Sequence, residues 1–324
     1  MEELLKIENL SVGIKSPAGK VQAVRDVSFT LHPGEVLAIV GESGCGKSML
    51  CKTIMKLLPK SAKIEGGKIW VNGVDITDYS DKDMRKLRGK LFSMIFQDPM
   101  TALNPTIPIG KQIAEAILVH DPKLPKEEVY NRVIELMELV GIQQPHERYK
   151  LYPYNFSGGM RQRSVMAIAL AANPKILLAD EPTTALDVTI EAQILEIISQ
   201  LKNEFNTAVM MITHNFGLVA EVADRVAIMY AGELVEQGDV YEVFDNPIHP
   251  YTKLLMKALP RGSKHDGRLQ TIYGSVPRLT EKKPGCRFAN RCPMAQEVCF
   301  EQDPVVKGIS ATHTYRCHFA EEGV

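Results

Sequence analysis

The chain has 324 residues, of which 24% are charged, and a formal net charge of −1, so no overall field draws it toward nucleic acid or an anionic membrane. Such a length exceeds one minimal domain and suits a large α/β domain with an appendage. No apolar run approaches the roughly 20 residues that span a bilayer, and the opening MEELLKIENL carries acids where a signal peptide carries bases. A cytoplasmic location is therefore expected.

Residues 4 to 40 alternate short apolar runs with the turn signals Ser16-Pro17-Ala18-Gly19 and His32-Pro33-Gly34. This predicts antiparallel strands leading into a buried strand from Glu35 to Val40. Lys47 to Leu58 has helical character, and GKIWVNGVDI at 67 to 76 predicts a strand, a turn at Asn72-Gly73 and a second strand. Val129, Val133, Leu136 and Val140 recur at helical spacing and Gly141 supplies a stop, which predicts an amphipathic helix over 126 to 140. The runs Lys175 to Ala179 and Val209 to Thr213, separated by the helical stretch Ile190 to Asn203, predict strand, helix, strand in a parallel sheet. From about residue 240 the pattern loosens, and a linker around 261 to 285 precedes a Cys-rich segment. The expected organisation is a larger domain over 1 to 240, helical at about 98 to 165, and an extension over 241 to 324.

The phosphate-binding signal is GESGCGKS at 41 to 48, lying after a predicted strand and before a predicted helix. Gly41, Glu42, Ser43, Gly44, Cys45, Gly46, Lys47, Ser48 and Met49 are the nucleotide-binding candidates. Glycines let backbone N–H groups turn onto phosphate at a helix N-terminus; Lys47 is expected on the β- and γ-phosphates and the Ser48 hydroxyl on Mg²⁺. A mere strand-to-helix turn has no use for Lys-Ser at this spacing. Cys45 reads as a small space-filling side chain, with a lowered pKa as the competing idea. Further on, the apolar run Ile176 to Ala179 ends in Asp180 and Glu181. Two adjacent carboxylates suit two tasks, Asp180 holding Mg²⁺ and Glu181 polarising the attacking water.

FSGGMRQR at 156 to 163 resembles the signature motif of the ATP-binding cassette (ABC) family, and it stands in order with Gln97 in FQDP, Ala185-Leu186-Asp187 and His214. The resemblance implies a P-loop NTPase (RecA-like) α/β core with an antiparallel β-subdomain and a helical signature subdomain, plus a small Cys-rich C-terminal extension. It implies an ATPase that works as a head-to-tail dimer, in which Ser157, Gly158 and Gly159 of one cassette, with Asp187, close on the nucleotide of the other. By position it makes Glu181 the general base, His214 a contact to γ-phosphate and water, and Gln97 a ligand of Mg²⁺ and water. Three positions depart from the family pattern. Ile14 stands where an aromatic often stacks on adenine, so apolar contact with Ile14 and Val24 is expected instead. Phe156 replaces the commoner leucine, and Asn215 the commoner aspartate.

QDPMTALNPTIPIGKQIAE after Gln97, HPYTKLLMKALP at 249 to 260, GSVPRL at 274 to 279 and GCRFANRCP at 285 to 293 resemble ATPases of oligopeptide and dipeptide importers. That resemblance implies a second ABC ATPase as homo- or heterodimer partner, two membrane permease subunits, an extracytoplasmic peptide-binding protein, and a place at the cytoplasmic face of the membrane. A helix from the permease is expected in a shallow groove near residues 97 to 115. Nickel or another small solute is the alternative cargo. A soluble ABC ATPase acting on nucleic acid is disfavoured, because only a compact helical segment separates the phosphate loop from the signature.

Cys286, Cys292, Cys299 and Cys317 are spaced to offer four thiolates to one centre. A [4Fe-4S] cluster is favoured over structural zinc, since no tight C-x₂₋₄-C knuckle is present and the resembled importers include cluster-bearing members. His313 and His318 read as surface or packing residues rather than ligands.

Overall fold

The computed structural model describes residues 2–17, 19–183, 188–258, 272–277 and 284–320. Two compact units result: one comprises residues 1–2, 31–36 and 78–212, the other 3–30, 37–77 and 213–324. Along the chain the strands are β1 Leu5–Ser16, β2 Gly19–Leu31, β3 Val36–Val40, β4 Ala62–Val71, β5 Val74–Asp75, β6 Phe92–Ile95, β7 Ile176–Asp180, β8 Ala208–Thr213, β9 Arg225–Tyr230, β10 Glu233–Asp239, β11 Val306–Gly308 and β12 Thr314–Arg316.

In the unit built around 78–212, β6, β7 and β8 lie side by side and parallel, with Phe92 opposite Ile176 and Asp180 opposite Ile212. Every residue of β7 and β8 is buried, which is why these segments are continuous apolar runs rather than alternating ones. The helix Val188–Phe205 makes the crossover from β7 to β8. Helices Ile109–His120, Lys126–Leu139 and Gly158–Leu170 pack on one another around Ile113, Ile117, Val133, Met137 and Met166. The predicted helix over 126 to 140 forms with its stop in place, Gly141 adopting φ 72°.

The other unit contains a sheet in the order β2-β1-β4-β5, with β1 and β4 antiparallel from Leu5 opposite Val71 to Ile14 opposite Ala62. A second set of strands starts from β3, fully buried and parallel to β9. Antiparallel β10 follows, then β12 and β11. The Cys-rich extension thus adds strands to β10. Its attachment is polar as well: Glu236, itself 1% exposed, accepts from Ile248 N, His249 N and the His313 ring. Three donors offset the cost of burying that carboxylate.

The expected boundary near 240 falls between β10 and the helix Val240–Asp245, and most of the expected linker at 261 to 285 lies outside the described residues. Two element limits differ from the sequence reading. The helix expected over 47 to 58 ends at Ile54, because Lys56 takes a left-handed φ of 53° and Leu57 N bonds back to Lys52 O. The strand expected from residue 67 begins at Ala62, since pairing with β1 continues through polar Lys63. Among the described residues no helix is long and apolar enough to cross a membrane.

Candidate nucleotide site and cysteine-rich extension

β3 delivers the chain into loop 41–46, and the helix Lys47–Ile54 leaves it. Two of its glycines are demanded by the surrounding fold. A Cβ on Gly41 would stand 2.0 Å from the Met229 carbonyl oxygen, and one on Gly46 2.3 Å from that of Ala23. Gly46 also adopts φ 109°, a conformation that side-chain-bearing residues avoid. The loop closes on itself: Cys45 N donates to Glu42 O, and Gly232 N donates to Cys45 O. Lys47, buried, donates from Nζ to Gly41 O at 2.7 Å and Glu42 O at 3.0 Å. Its ammonium is thus held within the ring of the loop. Ser43 and Gly44 are exposed, Ser48 and Met49 half-buried in the first helical turn. Cys45 is fully buried, and burial pushes its thiol pKa up; it fills space rather than reacting.

His214 belongs to the same unit and is exposed. The departure at position 215 has a structural use: Asn215 caps the helix Phe216–Val222, its side-chain oxygen accepting from Gly217 N at 3.0 Å. An amide supplies that acceptor as well as a carboxylate would. Of the two residues expected to meet adenine, Ile14 is half-buried, whereas Val24 is 0% exposed. Val24 therefore has no surface to offer a base, and that expectation is corrected.

The remaining candidates lie in the unit built around 78–212. Asp180, 3% exposed, ends β7. Glu181 follows with a left-handed φ of 48°, a strained state costing about 1–3 kcal/mol for a non-glycine residue. Glu181 N donates to Ile212 O at 3.0 Å, which holds the turn. Gln97 lies just past β6 and donates from Nε2 to Glu181 Oε2 at 2.9 Å. After Gln97, Asp98 caps the short helix Pro99–Ala102 through Met100 N. Gln112 ties the following turn by accepting from Asn104 N and donating to Asn104 O and Ile107 O.

Ser157 caps the helix Gly158–Leu170, its hydroxyl accepting from Met160 N at 3.4 Å, and Phe156 is 3% exposed beneath it. An aromatic side chain is accommodated in that core position. A Cβ on Gly158 would meet nothing within 4 Å. Gly159 is half-buried in the first turn. Ala185, Leu186 and Asp187 lie outside the described residues.

In the extension, Cys286, Cys292, Cys299 and Cys317 form no disulfide. Cys286, Cys292, Cys299 and Cys317 line one small cavity together with Phe288 and His318. Burial pushes the Cys286 thiol up to about 12 and raises Cys292 in the same direction. A metal would therefore have to displace protons from these thiols. Among the described residues, no group of three or more His, Cys, Asp or Glu stands in a metal-holding arrangement. His313, 3% exposed, packs against Glu236, and the His318 ring donates to Gln302 O.

A contact that sequence reasoning missed joins the extension to the phosphate loop within one unit. Arg291 donates from Nη1 and Nη2 to the two carboxylate oxygens of Glu42, at 2.7 and 3.0 Å. Glu42 N donates to the Tyr251 hydroxyl at 3.1 Å. Rings of Tyr230, Tyr251 and Phe288 pack behind it, with centroids 4.7 to 5.3 Å apart. No spacing rule signals a pair separated by 249 residues.

Comparison with known proteins agrees with this arrangement. Residues 24–184 match the model of the ABC transporter family, and residues 235–299 match that of the oligopeptide/dipeptide transporter C-terminal region. The chain is 50% identical over 323 residues to the dipeptide transport ATP-binding protein DppD of Bacillus subtilis, covering 99% of this chain and 96% of that protein. It is 50% identical over 312 residues to the oligopeptide transport ATP-binding protein OppD of the same organism, covering 96% and 87%. Among solved structures, the dimeric ATP-binding cassette MJ0796, captured after hydrolysis with ADP and Pi, superposes with a TM-score of 0.67 at 26% identity, covering 73% of this chain and 98% of that one. ATP and Mg²⁺ fit such a site. With identity of this extent along almost its full length, the chain belongs to the ABC transporter family as one of its ATPases.

Proposed function

We propose that the chain is the ATP-hydrolysing subunit of an importer of dipeptides or oligopeptides. The observation that carries this reading is the similarity to peptide-transport ATP-binding proteins across 99% of the chain, the C-terminal region included. Residues 1 to 240 form the nucleotide-binding domain and 241 to 324 the peptide-importer extension.

In this reading the backbone N–H groups of Gly44 to Met49 cradle the β- and γ-phosphates, and Lys47 supplies a positive charge to them. Mg²⁺, held by Ser48, Asp180 and Gln97, neutralises phosphate charge when bound. Glu181 accepts the proton of the attacking water as its oxygen bonds to the γ-phosphorus and the bond to the bridging oxygen breaks. The hydrogen bond from Gln97 supports this role, because it orients the carboxylate before substrate arrives. His214 contacts the γ-phosphate and water.

Ser157, Gly158, Gly159 and Asp187 act on the nucleotide of a partner ATPase. Open space around Gly158 supports that assignment, since nothing among the described residues requires a glycine there. Two permease subunits complete the transporter and hold the ATPase at the cytoplasmic face of the membrane, with an extracytoplasmic peptide-binding protein delivering cargo. Exposed Met100, at 61%, supports a docking face for a permease helix near residues 97 to 115.

The extension's four cysteines would hold a [4Fe-4S] cluster, with zinc as the alternative. Convergence of four soft donors on one cavity supports the donor set. Such a centre would cross-link a segment too small to build its own core.

The experiment is reconstitution with the permease subunits and peptide-binding protein. Peptide-stimulated ATP hydrolysis and uptake are expected; stimulation by nickel chelates and not by peptides would overturn the cargo assignment. Iron with acid-labile sulfide is expected in anaerobically purified protein, and stoichiometric zinc without iron would replace the cluster by zinc.

A further inference from the structure

Glu42 places a carboxylate inside a loop that must receive a polyanion. Left alone, that charge opposes phosphate binding. The chain neutralises it with Arg291, whose side chain is only 6% exposed against 26% for Glu42. All five N–H donors of this guanidinium are engaged. Nη1 serves Glu42 and the Tyr230 hydroxyl, Nη2 serves Glu42 and Ile272 O, and Nε serves Tyr273 O. The planar fork on the carboxylate is thereby fixed in direction as well as charge. Glu42 passes the constraint on, since its carbonyl oxygen accepts from Lys47 Nζ and its N–H from the loop reaches Tyr251 of the extension.

We propose that Arg291 tunes nucleotide binding through charge: acting on Glu42, it cancels the loop's own negative charge beside Lys47, so that affinity for triphosphate depends on the Cys-rich extension. This rests on the reading of residues 41 to 48 as the triphosphate cradle. Arg291 lies in the single turn Ala289–Arg291, directly before Cys292. The extension therefore contributes to the nucleotide site in the same chain, apart from any contact with permease or cargo.

The test measures Mg-ATP and Mg-ADP affinity of the full-length protein, with kcat and KM. Arg291→Met removes the charge and leaves Glu42 uncompensated; Kd and KM for ATP are expected to rise about tenfold, ADP less, with kcat unchanged. The double variant Arg291→Met with Glu42→Gln is expected to recover most of that loss, and Arg291→Lys to fall between. Glu42→Gln alone, which keeps Arg291 and its other acceptors, is expected to bind ATP more tightly than wild type, because the Arg291 charge is then uncompensated beside the phosphates. A purely structural contact would weaken binding in Glu42→Gln too. Wild-type ATP affinity in a folded Arg291→Met protein, or binding in Glu42→Gln no tighter than in wild type, overturns the proposal; the latter measurement suffices if Arg291→Met does not fold. Lys47→Ala keeps the underlying reading separate: retained ATP binding there would remove the cradle itself, whatever Arg291 does.

Discussion

An added Cβ would stand 2.0 Å from a carbonyl oxygen at Gly41 and 2.3 Å from one at Gly46, yet at Gly158 it would meet nothing within 4 Å. The phosphate loop and the signature helix are both glycine-marked phosphate motifs, but their glycines answer to different neighbours. In the loop, backbone from other strands of the same chain leaves no room for a side chain at Gly41 and Gly46, whereas Gly44 is open and is kept as glycine by its φ of 79°. At Gly158 no neighbour among the described residues excludes a side chain.

The largest effect expected lies outside both sets of glycines. Glu181→Gln keeps the turn and the hydrogen-bond reach but loses the base, so steady-state hydrolysis should fall about 10²- to 10⁴-fold with ATP binding retained. Hydrolysis near the wild-type rate would remove Glu181 from the chemistry. Next come the glycines themselves. Gly41→Ala drives a methyl group into backbone and should cost about 3 kcal/mol of stability, read as a lower Tm, together with ATP binding. Gly158→Ala should leave Tm unchanged while lowering turnover about 100-fold, as misplacement by a methyl group does. Were the two variants equally destabilised, the contrast between Gly41 and Gly158 would collapse.

A smaller effect sharpens the comparison through pH. Burial pushes His249 down from 6.5 to about 4, with Glu236 opposing. The folded chain keeps the ring neutral, and its Nδ1 accepts from Tyr251 N to cap the helix Pro250–Lys257. Because the unfolded chain binds the proton more readily, the stabilisation is present above about pH 6.5 and is lost as pH falls toward 4. From pH 7 to pH 5 the loss should be about 2 kcal/mol. Since Tyr251 also receives Glu42 N, hydrogen exchange at pH 5 should accelerate around the phosphate loop before it does in the signature helix. Uniform acceleration in both would show that the two regions do not differ in this way.

The local signals were sound where a short segment contains its own cause. Buried parallel strands had to be continuous apolar runs, and β7 and β8 follow that rule. Gly141 stops the helix Lys126–Leu139 because glycine takes φ 72° freely. Lys56 shows the opposite case, a residue with no turn signal in its type that nevertheless adopts φ 53° and ends a helix early. Val24 was expected at adenine because Ile14 stands where the family often has a stacking aromatic, and lies wholly inside the core. Which face of a strand is covered depends on what packs against it, and that information is not local.

By itself the sequence determined the chemistry on offer: a glycine loop with Lys47 and Ser48, the Asp180-Glu181 pair, the signature opening at Ser157, and four late cysteines. Residue type and short spacing suffice there, because backbone sterics and donor chemistry act over a few residues. Only the tertiary structure decided that Glu181 turns through a left-handed backbone, that four cysteines separated along the chain face one cavity, and that Arg291 grips Glu42 across 249 positions. Those outcomes depend on which surfaces exclude water together. Long-range packing and charge pairing are properties of the folded chain, and no window of sequence contains both partners.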